Sequence, residues 1–193
     1  GCDYEQWDPA TDIYLTTKYS RSKLKGKLAC KAEMRQRYHL EQNDTPLFVL
    51  VSRITEQKGF AYLLPALEQW LADAEAQVLM MGTGDQSYVS RLRSLNEKFP
   101  GRFVFVEGFD EALSHQLEAA GDFFLMPSLF EPCGLNQIYS LRYGTVPLVR
   151  LTGGLKDTVR DLAETEPTGI GFVEPTVQAL LEALDRALVL YQH

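Results

Sequence analysis

From Leu47 onward the chain alternates short, continuous apolar runs with amphipathic segments, and this rhythm constrains the fold more than any other feature. The runs are LFVLV (47–51), QVLMM (77–81), FVFVE (103–107), DFFLM (122–126), VPLVR (146–150) and GIGFV (169–173). Little in them alternates with polar residues, so both faces of each strand are expected to be buried, as in a parallel sheet covered by helices. Between them lie helical patterns over 59–73, 88–98, 111–121, 135–144 and 155–163, and a last one runs to the C-terminus. Pro65 predicts a local distortion in the first of these. Strand and helix in regular alternation mean an α/β, doubly wound sheet.

Residues 1–45 read differently, as an ordered linker and a basic helix (24–38) leading in from a domain outside this sequence; 46–193 is the predicted binding domain. The chain starts with Gly1 and its last residues are still in helical register, so the expectation is a piece of a longer protein. At 45% hydrophobic and 23% charged the composition is globular. The net charge of −7 argues against nucleic acid as a partner, because phosphate backbones need a basic face. No apolar run is long enough to span a bilayer, so no membrane partner is expected. Three cysteines without C-x-x-C spacing imply neither a disulfide framework nor a zinc site; a reducing compartment is the default, and no metal or cofactor is called for.

Ligands of doubly wound sheets bind beyond the carboxyl ends of the strands. The loop SRITEQKG there carries Arg53 and Lys58 ahead of Gly59 and a helix start, which suits a diphosphate. GTGDQS, with Gly82 and Gly84, partly matches a dinucleotide fingerprint, with Glu107 placed like a ribose-binding acid. Ser87 replaces its third glycine and Asp85 would repel phosphate, so a nicotinamide site is not expected. EGFDEA supplies Phe109. In FEPCGLNQ, Glu131 precedes a helix start at which the N–H groups of Gly134 and Leu135 attract an anion. Cys133 is either a small residue in a tight turn or a reactive thiol. His39, His115 and His193 are scattered and read as surface or packing residues. RLTGG offers Thr152 and Gly153 before another helix, where Thr152 would serve as a cap.

In this order the stretches GCDYEQWDPATD, SRITEQKG, GTGD, FFLMPSLFEPCGLNQIYSLRYGTVPLVR and TGGLKDT closely resemble bacterial glycogen synthases and plant starch synthases. The resemblance implies a two-domain GT-B enzyme of which this chain is the C-terminal, Rossmann-like half. It implies transfer of glucose from ADP-glucose to the non-reducing end of an α-1,4-glucan (glycogen or starch), with retention. Arg53 and Lys58 would hold the departing diphosphate, and Glu131 would bind glucose hydroxyls. The backbone at Cys133, Gly134 and Leu135 would contact sugar and distal phosphate, with Asn136, Gly82, Gly84, Phe109, Thr152 and Gly153 completing the donor site. A UDP-glucose donor and a non-catalytic binding module are the alternative readings. Tyr139 stands where many related retaining transferases carry a second glutamate, which leaves the ribose contact unassigned; Asn136 stands where a threonine is common. The N-terminal K-x-G-G-L motif is absent, so the fragment is expected to be inactive alone. The compartment implied is the cytoplasm of a bacterium, or a plastid in a plant.

Overall fold

In a computed structural model that describes residues 2–193, all six apolar runs are strands of one sheet. The elements follow as α1 (Lys25–Arg37), β1 (Leu47–Ile54), a 3-10 turn (Glu56–Lys58), α2 (Phe60–Leu71), β2 (Gln77–Gly84), α3 (Gln86–Lys98), β3 (Phe103–Glu107), α4 (Glu111–Ala120), β4 (Phe123–Met126), α5 (Asn136–Tyr143), β5 (Val146–Arg150), α6 (Gly153–Thr158), β6 (Ile170–Phe172) and α7 (Val177–Tyr191). The strand order is β3-β2-β1-β4-β5-β6 and every pairing is parallel. Winding proceeds outward from β1 through β2 to β3, then returns to place β4 on the other side of β1. The crevice between β1 and β4 is therefore the topological switch point, where such sheets bind ligands.

Successive strand residues face opposite layers, which explains the unbroken apolar runs. Phe48 and Leu50 pack with α2, α3 and α7, while Leu47 and Val49 pack with α1 and α4. At about 25 cal/mol per Å² of apolar area, burial on both faces is the main force holding the sheet. Helix α2 runs through Pro65 without interruption. The carbonyl that Pro65 cannot serve belongs to Ala61, which is exposed and can turn to water.

Three details sharpen the sequence reading. Strand β1 continues through Arg53 to Ile54, paired with Gly82–Gly84 of β2, so Arg53 sits on a strand end and not on a loop. The two glycines make this extension fit, because a Cβ at Gly82 would lie 2.2 Å from the Ser52 carbonyl oxygen and one at Gly84 2.3 Å from that of Ile54. Second, Asp85 caps α3, accepting from the Ser87 amide at 2.8 Å and its hydroxyl at 2.7 Å. The residue that broke the dinucleotide fingerprint is thus a capping partner, and Glu107 is paired with Arg93. Third, the helix expected over 155–163 spans only Gly153–Thr158. Val159 is buried in an extended conformation, and Asp161 is drawn away to the Gly171 amide and the Arg186 guanidinium.

Residues 2–19 form no regular element, but they are fastened to the α4–α5 side of the sheet. Asp12, fully buried, accepts from His115 Nδ1 at 2.8 Å, from the Tyr14 amide at 2.9 Å and from the Tyr143 hydroxyl. Tyr19 donates to the Tyr143 carbonyl at 2.6 Å. Trp7 lies parallel to both the His115 and Tyr139 rings, at centroid distances of 3.6 and 4.2 Å. His115 is accordingly a packing residue, as its isolation in the sequence suggests, whereas His39 and His193 are exposed.

Candidate functional site

A cavity of about 630 Å³ opens at the carboxyl rim of the sheet, over the switch point. Arg53 and Gly82 reach it from the ends of β1 and β2, Phe109 from the loop before α4, and Asn136 from the first residue of α5. The Asn136 side-chain Nδ2 donates to the Val51 carbonyl at 3.2 Å, which ties α5 to β1 across the switch point. Among the predicted site residues these four line the cavity.

Others gather where the 3-10 turn after β1 meets the loop between β4 and α5. Lys58 Nζ lies 2.6 Å from Glu131 Oε2, and the Ser128 hydroxyl is 3.3 Å from the same oxygen. The two side chains retain only 18% and 12% exposure, enough shielding to make this a firmer ion pair than a solvated surface pair. Sequence reading put the cation with a phosphate and the carboxylate with a sugar. The structure joins them, so each fixes the other's position.

The loop is built to hold this pair still. The Leu129 amide donates to the Gln57 carbonyl at 2.8 Å, and Arg150 donates to the Leu129 carbonyl at 2.7 Å. Tyr62 donates to the Pro127 carbonyl from α2. On the far side, the Gly154 amide donates to the Glu131 carbonyl at 3.0 Å. Gly153 and Gly154 allow α6 to press against this backbone; that close approach accounts for the TGG signal, and Thr152 makes no side-chain cap. Gly134 turns the chain into α5 with φ of +66°, while Cys133 and Leu135 are exposed. Gly84 lies at the strand end next to the cavity but does not line it.

Sequence reasoning singled out none of the remaining wall residues, and four of them stand out. Glu111, Ser114 and Glu118 project from one face of α4 at i, i+3 and i+7, and Trp7 enters from the N-terminal segment. The α4 spacing was visible as a polar stripe in a helix that should be apolar on its buried side. Nothing local announces Trp7, whose partners lie more than a hundred positions away. Among the described residues no cluster of His, Cys, Asp and Glu could hold a metal ion, and no helix is long and apolar enough to cross a membrane.

A doubly wound parallel sheet with a cation-bearing cavity at its switch point defines a Rossmann-like domain of the GT-B glycosyltransferase type. Residues 32–192 match the family model described as glycosyl transferases group 1, and the chain belongs to that family. It is 50% identical, over 99% of its length, to a glycogen synthase of Vibrio cholerae, and equally so to one of Aeromonas hydrophila. In each case it covers 40% of the relative, so the chain spans less than half the length of these curated proteins. The catalytic domain of starch synthase IV from Arabidopsis thaliana, solved bound to ADP and acarbose, superposes with a TM-score of 0.93 at 33% identity, covering 100% of this chain and 41% of that one.

Proposed function

We propose that this chain is the donor-binding half of an enzyme that transfers glucose from ADP-glucose to the non-reducing end of an α-1,4-glucan, with retention. The observation that carries this reading is the Lys58–Glu131 pair standing beside an Arg53-lined cavity, in a chain that superposes closely on a domain solved with ADP. Arg53 and Lys58 would receive the diphosphate, their charge growing in value as the glycosidic phosphate bond breaks. Glu131, anchored by Lys58 and Ser128, would accept hydrogen bonds from glucose hydroxyls. The amides of Gly134 and Leu135 at the start of α5 would meet the distal phosphate. The glucan and the rest of the transition-state surroundings are assigned to an N-terminal domain of the same enzyme, and the cytoplasm of a bacterium is the compartment proposed.

Calorimetry of the chain with ADP, UDP and ADP-glucose tests the donor assignment. ADP and ADP-glucose should bind and UDP should bind far more weakly; the reverse order would move the donor to UDP-glucose. Arg53→Ala should weaken ADP by roughly 1.5–3 kcal/mol, about tenfold to a hundredfold, while hardly affecting AMP, which lacks the distal phosphate. Equal losses for both nucleotides would reassign Arg53 to the first phosphate. The chain alone is expected to give no incorporation of labelled glucose into glycogen. Incorporation without a second domain would overturn the two-domain account.

A further inference from the structure

The inner wall of the cavity carries one acid that the donor reading leaves unused. Glu118 is 2% exposed and lines the cavity two turns along α4 from the rim. Its Oε2 lies 2.8 Å from the Ser140 hydroxyl, whose oxygen is also 2.7 Å from the Asn136 carbonyl. Its Oε1 is buried and has no hydrogen-bond partner. We propose that Glu118 is the residue that receives the nucleotide's ribose hydroxyls, through this free Oε1, and so favours a ribonucleotide donor. The inference rests on the reading of the cavity as a nucleotide site.

The partners of the two carboxyl oxygens support an acceptor role. The Ser140 hydroxyl donates to Glu118 Oε2 and lies within reach of the Asn136 carbonyl as well, so Glu118 already accepts through one of its oxygens. Burial pushes its pKa up to about 8, against the opposing Ser140 hydrogen bond and the Lys27 charge. Oε1 is an acceptor that meets no donor of the protein, and natural proteins rarely leave such an atom unpaired.

Position along the cavity selects the ribose. Asn136 and Arg53 mark the diphosphate end, and Ser140, the partner of Glu118, lies one turn along α5 from Asn136. The exposed Phe109 and the adjacent Gly108 lie in the loop before α4, whose first residue is two turns from Glu118, where a base can be received. In a nucleoside diphosphate the ribose comes between phosphate and base. Tyr139, at the position that would otherwise offer a carboxylate from α5, is covered by Trp7.

The test compares binding of ADP, 2′-deoxy-ADP, 3′-deoxy-ADP and inosine 5′-diphosphate to the wild-type chain, to Glu118→Ala and to Glu118→Gln, with thermal melts confirming that each variant is folded. Wild type should prefer ADP over at least one deoxy analogue by about tenfold, the usual scale for one buried hydrogen bond. Glu118→Ala should erase that preference and leave the ratio of ADP to inosine diphosphate unchanged. Glu118→Gln, which keeps an oxygen acceptor, should retain most of it. Wild-type binding that treats ADP and both deoxy analogues alike overturns the proposal without any variant. Loss of the ADP–inosine diphosphate preference in Glu118→Ala also overturns it, by moving the acceptor to the base. Failure of wild type to bind ADP at all would instead overturn the donor-site reading on which it rests.

Discussion

Gly153→Ala is expected to destabilise the protein by on the order of 3–4 kcal/mol and to remove nucleotide binding with it. The added Cβ would stand 2.1 Å from the Glu131 carbonyl oxygen and 3.0 Å from its carbon. Both are backbone atoms that cannot rotate aside, and the residue holds φ at +49°, a left-handed value unfavourable for alanine. Relief requires α6 to withdraw from the loop that presents Glu131, which would break the Gly154–Glu131 backbone bond and loosen the pair with Lys58. Gly144→Ala is the matched comparison. It has φ of +71° but its nearest new contact is Lys27 Cδ at 3.8 Å, so it carries the left-handed cost alone, roughly 1–2 kcal/mol. Urea melts of the two variants separate strain from collision. Equal losses would show that α6 does not depend on this close approach.

Asp12→Ala should cost roughly 3–5 kcal/mol, the scale for removing one member of a buried, hydrogen-bonded charged cluster. It would strip partners from His115 Nδ1, the Tyr143 hydroxyl and the Tyr14 amide together. His115 Nε2 is already without a partner, so the ring would be left with none. The effect also has a pH signature. Burial alone would raise the Asp12 pKa, but donation from His115, Tyr143 and the Tyr14 amide outweighs it and holds the carboxyl below the usual range. A depressed folded-state value means the stabilisation is complete above the unfolded value of about 4 and fades as pH falls through the folded one. The gap between wild type and Asp12→Ala should therefore be constant near neutrality and narrow in acid. A variant within about 1 kcal/mol of wild type at pH 7 would mean that the buried partners find replacements.

The sheet could be read from the sequence because its cause is local. Six runs without polar interruption can be buried only on both faces, and all six are strands. Strand ends were less legible, since Ser52–Ile54 look like loop by hydrophobicity and stay paired only because Gly82 and Gly84 let β2 approach. Within the site, the loop motifs identified the Lys58–Glu131 neighbourhood, but their spacing of 73 positions hides the ion pair. Trp7 and Glu118 escaped for different reasons. The indole's role depends on tertiary contacts with two helices, and the acid's depends on a cavity that periodicity cannot reveal.

The N-terminal segment gives the cavity a wall of low local stability. Residues 2–19 reach their partners through side chains and turns, without a strand or helix ladder of their own. Regions held this way open by sub-global fluctuations at a lower free energy than the sheet behind them. Each opening would carry Trp7 away and leave the cavity without one side, while the strands stay formed. A nucleotide that touches Trp7 binds the closed form alone, so by mass action it should slow amide hydrogen exchange across this segment and leave β1 and β2 unaffected. Ligand occupancy would then be recorded at the Tyr14 and Tyr19 amides, which are bonded to Asp12 and Pro9, far along the chain from any residue of the diphosphate cradle.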